Sequence, residues 1–273
     1  AKWKPNLKIG GLNLGSEPVI DGYEGKSGAV WRVSKYFPVD DKECVDPSKV
    51  IDLTPRLRRP STTDAPLAFS LPKGKWHLVR IGHTSTGHTN ATGGGGRGLE
   101  CDKFSAAAVD KQFDNWFAAI YRHAPIDVAR KVLTRLHVDS WEAGSQNWSS
   151  NFMDEFKKRR GYDLKPWLLL YAGVPLKSSE ESEKVLRDIR LTIGDLVNDV
   201  FFSEVRRLAD EYGVKLSTEC VAPTMVSDGL RHYQFADYPM GEFWLNSPTH
   251  DKPNDMLDAV SGAHIYGKNI IQA

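Results

Sequence analysis

Apolar residues recur three and four positions apart in some parts of this chain and form short continuous runs in others. The first pattern predicts the helices. Residues three and four apart lie on one face of a helix. A helix that begins after the N-cap Ser105 has such a face, made of Val109, Phe113, Trp116, Phe117 and Ile120. A longer helix over 182–212, with Gly213 as its C-cap, has another, made of Val185, Ile189, Ile193, Leu196, Val200, Val205 and Leu208. Further helices are predicted over 151–160 and 254–266, and a short one before residue 136.

Short apolar runs between the helices predict strands. They cover about 136–138, 214–220, 236–244 and 269–273. Runs this short, bounded by turn residues, are typical of strands in a buried sheet. Strands that alternate with helices indicate an α/β fold, and acids at successive strand ends are the pattern of a (β/α)8 TIM-like barrel.

Residues 1–72 do not show the spacing of helices. They are rich in Gly, Pro, Asp and Ser, and apolar pieces such as 29–33 and 50–53 are short. This composition predicts irregular loops and small antiparallel strands. A hairpin is predicted next, over 67–81. The chain therefore divides into a β-rich, loop-rich segment over 1–72 and a partial barrel domain over 73–273.

The composition excludes two classes of partner. Lys and Arg number 36 against 35 Asp and Glu, a net charge of +1, so no overall field attracts nucleic acid or an anionic membrane. No apolar run approaches the ~20 residues that span a bilayer, and the first residues lack the apolar core of a secretion signal. Cys44, Cys101 and Cys220 are odd in number and far apart, which predicts neither a disulfide framework nor a cysteine metal knuckle. We expect a soluble chain from which any export signal has been removed.

A polar, glycine-rich loop over 82–98 follows the predicted hairpin. Its four consecutive glycines do not make a phosphate-binding loop, because no Lys-Ser/Thr pair opens a helix after them. His83 and His88 are five residues apart and lack a third ligand at a defined spacing, so they are a weak signal for a metal site. The loop is therefore expected to border a ligand.

Three predicted strands end on carboxylates. Asp139 and Glu142 follow the first strand, Glu219 ends the second, and Glu242 lies near the end of the third. In α/β folds the carboxyl ends of strands are where chemistry is placed. These acids are therefore the candidate catalytic and ligand-binding groups.

Aromatic residues accompany the acids. Trp141 and Trp148 flank Glu142, and Phe243 and Trp244 follow Glu242. A carboxyl group among indole rings loses hydration, which raises its pKa and lets it hold a proton near neutral pH. A flat indole face also fits the C–H face of a sugar ring, so the combination indicates a carbohydrate-active site.

Several of these residues have a simpler structural interpretation. Glu142 can cap the next helix, a role that Ser149 or Ser150 could fill instead, and Glu219 can pair with Arg231 or another basic residue. Asp102 lies near a helix start, where an acid interacts favourably with the helix dipole. The basic run 157–160 is expected to be a solvated helix end.

Six motifs resemble glycoside hydrolase family 106, the α-L-rhamnosidases, over roughly residues 45–273. They are RIGHTSTG at 80–87, GLECDKFS at 98–105, DSWEAGSQNW at 139–148, FKKRRGYD at 156–163, PMGEFW at 239–244 and AHIYGK at 263–268. The resemblance implies inverting hydrolysis of terminal α-L-rhamnosides from plant polysaccharides or glycosides, with a Ca²⁺ ion in the site.

The resemblance also implies roles for single residues. Glu142 matches the general acid proposed for the family, and Glu242 matches an acid that contacts the metal or the sugar. Glu219 and Asp139 are further candidate ligands, because a hard cation prefers oxygen. The candidate substrate contacts are His83, His88, Asp102, Asp139, Trp141, Asn147, Trp148, Phe243 and Trp244, of which Phe243 or Trp244 can cover the methyl group of the deoxy sugar.

Two features depart from the family's pattern. The family's proposed general base lies in an Ala-Glu-Ala-Phe-like motif, of which Ala273 matches only the first residue. The family's first barrel strands should lie upstream of residue 1, so only about the fourth to seventh strands are expected in this chain. An incomplete barrel leaves strand edges unpaired, and the remainder of the same polypeptide is therefore an expected partner.

Two other functions stay open. A carbohydrate-binding or structural module that has lost catalysis would keep the aromatic residues and the metal without a complete acid/base pair. A retaining glycosidase would use Glu142 and Glu242 as its pair, with carboxyl groups ~5–5.5 Å apart in place of the ~6.5–9.5 Å of an inverting enzyme. In each case we expect a periplasmic or secreted bacterial protein.

Overall fold

The computed structural model of the chain describes residues 17–28, 37–56, 70–90, 94–141, 144–219, 227–242 and 253–273. Within these ranges the α-helices are α1 Tyr23–Lys26, α2 Ala106–Asn115, α3 Phe117–His123, α4 Ile126–Val132, α5 Phe152–Arg160, α6 Ser179–Leu196, α7 Ser203–Glu211 and α8 Pro253–Ile265. The strands are β1 Arg135–Val138, β2 Lys215–Glu219 and β3 Tyr238–Met240. A π-helical stretch covers Val197–Phe202, and the 3-10 turns are Asp41–Glu43, Pro47–Lys49, Thr54–Arg56, Gly94–Gly96, Lys165–Ala172 and Arg231–Gln234.

The three strands form a parallel sheet in the order β1-β2-β3. Leu136 pairs with Leu216, and Thr218 pairs with Pro239. The carboxyl ends of all three strands therefore lie at one edge. The described strands make an α/β fold with a small parallel sheet, and the (β/α) barrel stays a prediction.

The predicted strand over 269–273 is reduced to one bridge. Gln272 pairs in parallel with Met240, and its amide donates to the Pro239 carbonyl at 2.8 Å. Ile270 and Ile271 are exposed, so these apolar side chains are not held against the sheet. The prediction of a full strand is wrong, although the chain does return to the free edge of β3.

The two faces of the sheet differ in polarity. Leu136 and Leu216 are buried in a cluster with apolar residues of α2, α3 and α7. On the opposite face, His137 Nδ1 lies 3.0 Å from Ser217 Oγ, which donates to Gln272 Oε1 at 2.9 Å. Alternate residues of a strand point to opposite faces, so one face carries the core and the other carries polar groups.

A second buried cluster forms around α5 and α6. It contains Ile20, Phe104, Phe152, Phe156, Leu164, Leu170, Leu176, Val185, Leu186, Ile189, Ile193, Leu196, Val197 and Phe202. Residues near the start of the chain join this cluster, since the Ile20 amide donates to the Gly173 carbonyl at 2.8 Å and Lys26 pairs with Glu183 at 2.7 Å. Residues around α1 thus pack directly on α6.

The long predicted helix is confirmed, with two changes. It begins three residues early, at Ser179, because the Ser178 side chain caps it by accepting from the Glu181 amide. It then runs through the π-helical stretch into α7. A π turn places more residues in each turn, and Val200 within it is only half-buried. Gly213 follows the helix with φ +66°, as expected for a C-terminal glycine.

The helix predicted after Ser105 is interrupted. The Ser105 side chain caps α2 as expected, but the backbone of Trp116 leaves the helical region and separates α2 from α3. Trp116 and Ile120 are consequently exposed, at 51% and 41%, and were wrongly predicted to be buried. Val109 and Phe113 are buried as predicted.

Predictions of strands before residue 90 are wrong within the described ranges. Around Asp46 and Asp52 the carboxylates accept the amides of Ser48 and Thr54. Such side-chain bonds compete with strand pairing, and the expected strand at 50–53 is a coil. In the predicted hairpin the turn forms, but 76–81 pairs with no described strand. The piece at 29–33 lies outside the described residues.

None of the described helices has the length and apolar character needed to cross a membrane. Cys44 and Cys101 are both free, and Cys220 lies outside the described residues.

Candidate active site

Two of the predicted acids meet at the carboxyl edge of the sheet. Asp139 directly follows β1 and Glu219 ends β2. The amide of Ser140 donates to Asp139 Oδ1 at 2.9 Å and to Glu219 Oε2 at 2.7 Å. One N–H group therefore serves both carboxyl groups, and the strand register brings together two residues that are 80 positions apart.

This pair shares a proton near neutral pH. Burial, followed by the hydrogen bond and charge of Asp139, raises the pKa of Glu219 to about 7. The hydrogen bond from Glu219, together with that from the Ser140 amide, lowers the pKa of Asp139. Two carboxylates this close do not both ionise easily. Of the two acids, Glu219 therefore favours its protonated form and Asp139 its ionised form.

The predicted pairing of Glu219 with Arg231 is not found. Arg231, its expected partner, instead donates to Asp195 at 2.8 Å and to Asp199 at 2.6 Å. Arg159 also bonds Asp199. The basic run 157–160 is thus only partly a solvated helix end, because its two arginines are half-buried in this ion cluster.

A buried histidine supports the end of β2. His232 is fully buried, and its Nε2 lies 3.0 Å from the Glu219 backbone carbonyl. Burial lowers the pKa of His232 to about 4, so the ring is neutral at physiological pH and acts as a hydrogen-bond donor. Sequence reasoning missed this residue, since a single histidine in a loop carries no pattern.

Glu142 lies outside the described residues, but both sides of its loop are described. On one side, Lys103 Nζ lies 4.4 Å from the centre of the Trp141 ring. On the other side, Trp148 packs against Phe152 and Tyr171, with ring centres 5.3 and 5.7 Å away. Helix α5 begins after Asn151, which is its N-cap residue, and the capping role considered for Glu142 falls outside the described residues.

The histidine loop, which carries His83 and His88, lies against the loop that carries Glu142. The His83 ring is 6.3 Å from the Trp148 ring. Gly144 has φ +78°, and a Cβ added there would collide with the His88 ring. A glycine is therefore required at this position for its backbone conformation and for the close approach. The structure brings together both histidines and the Glu142 loop.

Asp102 is tied into the same loop. It accepts hydrogen bonds from the Phe104 amide at 2.9 Å, from Ser149 Oγ at 2.6 Å and from Gln146 Nε2. The Lys103 amide in turn donates to Gln146 Oε1 at 3.0 Å. Sequence reasoning did not single out Gln146, because nothing in its spacing distinguishes it from other polar loop residues.

Asn147 occupies the side of the loop nearest the start of the chain. A Cβ added at Gly28 would lie 3.9 Å from Asn147 Cβ. Ser145, two residues before Asn147, donates to the Gly28 carbonyl at 3.2 Å. Residues 17–28 therefore help to hold the loop.

Glu242 is half-buried, two residues beyond β3. Gly241, just before it, is packed closely by α8, since an added Cβ would lie 2.7 Å from Met256 Sδ. Glu242 thus emerges at the same sheet edge as Asp139 and Glu219. Phe243 and Trp244 lie outside the described residues.

The carboxylate oxygens at this edge are of the chemical type that binds a hard cation. Asp139 and Glu219 offer carboxylate oxygens from adjacent strands, and oxygens are the ligands that Ca²⁺ takes. Within the part of the chain that is described, however, no three His, Cys, Asp or Glu residues are grouped to hold a metal. Ca²⁺ binds six to eight oxygens, so these two residues alone do not complete a site.

A parallel sheet with carboxylates and aromatic rings at its carboxyl edge has the layout of an α/β enzyme whose site lies at the strand ends. Within that class, the family model described as alpha-L-rhamnosidase, glycoside hydrolase family 106, matches residues 3–273. The chain belongs to this family, and the resemblance inferred from its motifs is confirmed.

Two known proteins illustrate the likeness. A protein from Formosa agariphila, provisionally named a beta-glucuronidase, is 32% identical over 237 residues, which are 86% of this chain and 20% of that protein. The solved structure of a rhamnosidase from Novosphingobium sp. PP1Y has a TM-score of 0.77 at 28% identity, over 95% of this chain and 26% of that one. The chain spans about a fifth to a quarter of the length of these relatives.

Proposed function

We propose that this chain forms the catalytic face of an α-L-rhamnosidase that hydrolyses terminal α-L-rhamnosides of plant polysaccharides or glycosides with inversion. The carrying observation is the meeting of Asp139 and Glu219 beside the aromatic loop of Glu142, all at one edge of a parallel sheet. Membership of the α-L-rhamnosidase family and the likeness to a solved rhamnosidase support this choice of sugar.

In this mechanism Glu142 is the general acid. It protonates the leaving oxygen while a carboxylate on the opposite face of the sugar activates water. We expect the Trp141 and Trp148 rings of this loop to limit hydration of the carboxyl group, and lost hydration favours the protonated form. We place the base at the same carboxyl edge of the sheet, to which the bridge from Gln272 to Met240 returns the chain.

Asp139 and Glu219 would supply two oxygen ligands to a calcium ion that helps to orient the sugar, and Glu242, a further candidate ligand, is not grouped with them among the described residues. Deprotonation of Glu219 would accompany binding, since a carboxylate is the ligand that Ca²⁺ takes. We expect EDTA to abolish hydrolysis and Ca²⁺ to restore it. Activity that survives exhaustive chelation would remove the metal from this proposal.

The test of the acid is hydrolysis of p-nitrophenyl α-L-rhamnoside by the full-length protein and its Glu142→Gln variant. We expect kcat/KM to fall by about 10²–10⁴-fold, the range that general acid catalysis contributes. Unchanged hydrolysis would eliminate Glu142 as the acid. Binding of rhamnose without hydrolysis by the wild type would favour the non-catalytic module.

The name of the Formosa relative points to a second substrate. A glucuronide carries a carboxylate, which calls for a cation at the sugar site. Lys103 near Trp141 is already paired with Glu100 at 2.6 Å and is almost fully buried, so it is a poor partner for a second carboxylate. We therefore expect p-nitrophenyl β-D-glucuronide to be cleaved far more slowly than the rhamnoside, and the reverse preference would reassign the substrate.

A polysaccharide substrate also implies a location outside the cytoplasm. We propose that the enzyme is periplasmic or secreted. Cell fractionation followed by a rhamnosidase assay tests this, and activity confined to the cytoplasmic fraction would contradict it.

A further inference from the structure

We propose that the dipeptide Asp102-Lys103 positions the general acid by holding the Glu142 loop from both sides. This inference rests on the proposed function, because it takes Glu142 to be the acid. It gives a function to the motif GLECDKFS, which has no part in the proposed chemical steps.

Asp102 holds the part of the loop that follows Glu142. Its Oδ2 accepts from Ser149 Oγ at 2.6 Å, and its Oδ1 accepts from Gln146 Nε2. Gln146 Nε2 also donates to the Trp148 carbonyl at 3.1 Å. The carboxylate is thus bonded directly to two loop residues and, through Gln146, to the backbone of a third.

Lys103 holds the part that precedes Glu142. Its ammonium group lies 4.4 Å from the centre of the Trp141 ring, in a cation–π contact. The side chain is 5% exposed, and Glu100 neutralises it at 2.6 Å. Trp141 is the residue next to Glu142, so this contact restrains the side chain immediately before the acid.

The dipeptide is itself rigidly placed. The neighbouring Phe104 is fully buried and packs against Phe152, with ring centres 6.0 Å apart. Ser105 then caps α2. Both contacts to the loop therefore start from one fixed point, which is what precise placement of an acid requires.

These contacts occupy the polar groups with which Asp102 and Lys103 could bind substrate. Both oxygens of Asp102 already accept hydrogen bonds from the protein, and the Lys103 ammonium group is buried against Glu100 and Trp141. We therefore assign both residues to positioning, and expect them to act through Glu142.

The test compares two rhamnosides that differ in their leaving group, using the full-length protein. A 4-methoxyphenyl group needs protonation to leave, whereas a 2,4-dinitrophenyl group leaves without it. We expect Asp102→Ala to lower kcat about 10–100-fold on the first substrate, the effect of a misplaced general acid, and about 3-fold or less on the second. KM for both should stay nearly constant.

Three variants sharpen the test. Asp102→Asn should recover most of the loss, because its amide oxygen can accept from Gln146 and the Ser149 hydroxyl can turn to accept from its NH2 group. Lys103→Met combined with Glu100→Gln removes the other contact without leaving a lone buried charge, and should show the same leaving-group dependence more weakly. Gln146→Ala is a milder alternative if Asp102→Ala fails to fold.

The matched control is Asp237→Asn, which alters a half-buried aspartate at the opposite end of the sheet. It should change both substrates equally. An equal loss on both substrates in Asp102→Ala or Gln146→Ala, or a rise in KM with unchanged kcat, would overturn the positioning role. If Glu142→Gln itself shows no leaving-group dependence, the proposed function fails instead, so the two failures are distinguishable.

Discussion

The acids at the two ends of the parallel sheet have different partners. At the amino end, Asp237 accepts the Leu216 amide at 2.9 Å and pairs with both Arg206 and Lys215. At the carboxyl end, Asp139 and Glu219 share a single backbone N–H group. An acid meets basic groups at one end, and two acids meet at the other.

The pKa shifts follow this division. The Leu216 amide and the basic partners lower the pKa of Asp237 despite its partial burial, so its ionised form stabilises the fold. Burial and Asp139 raise the pKa of Glu219 to about 7, so ionisation of Glu219 is disfavoured in the folded protein. Perturbed acids of the second kind cluster at functional sites. The amino end thus contributes stability, and the carboxyl end is available for chemistry.

Among the variants that test this comparison, Glu219→Gln should have the largest effect, and the effect is on kcat. We expect kcat on p-nitrophenyl α-L-rhamnoside to fall by about 10²-fold, the effect of a misplaced substrate, because Glu219 is proposed as a ligand of the cation that orients the sugar. Tm should stay unchanged or rise, because the amide oxygen still accepts from the Ser140 amide and the NH2 group can donate to Asp139. Full activity with a large drop in Tm would reverse the roles given to the two ends.

Asp237→Asn makes the same chemical change at the other end and should have the opposite result. We expect the free energy of unfolding to fall by about 1–2 kcal/mol, the effect of weakening charged hydrogen bonds, with kcat per folded molecule unchanged. Urea denaturation followed by CD measures the first quantity.

The same variant predicts a pH dependence. Because folding lowers the pKa of Asp237 below its ordinary value of 3.8, its stabilisation is complete above that pH and is lost as the pH falls through the folded value. The difference in unfolding free energy between wild type and Asp237→Asn should therefore shrink below about pH 4. A difference that grows in acid would contradict the assigned sign.

Gly144→Ala gives the smallest expected effect, and Gly161→Ala is its control. Both glycines have positive φ, at +78° and +83°, but only Gly144 faces another side chain, the ring of His88. Each variant should lose about 1 kcal/mol of stability from backbone strain. Only Gly144→Ala should also lower kcat, because it displaces the histidine loop; equal kcat in both variants would show that this contact does not matter.

The sequence predicts the helices of this chain well because each buries a regular stripe. Val185, Ile189 and Ile193 are buried as their spacing requires. The weak strand predictions fail for two reasons. Asp46 and Asp52 use their side chains to form local turns, and Ile270 finds no cover against the sheet. Whether a short apolar run becomes a strand depends on a partner that spacing does not reveal.

The candidate site was predictable in position but not in detail. Acids at successive strand ends located the edge at which Asp139 and Glu219 meet. Their shared proton depends on the β1–β2 register, and the supports from His232 and Gln146 depend on tertiary contacts. Those contacts join distant segments, so no local pattern predicts them.

The most direct test of catalysis at the carboxyl edge follows the first sugar that is released from p-nitrophenyl α-L-rhamnoside. Proton NMR of the reaction with the full-length protein distinguishes the two anomers before they interconvert. An inverting enzyme with Glu142 as its acid should release β-L-rhamnose first, and Glu142→Gln should release almost none. Initial release of α-L-rhamnose would indicate retention and a Glu142–Glu242 pair, and unchanged release by the Gln variant would contradict the assignment of this edge as the active site.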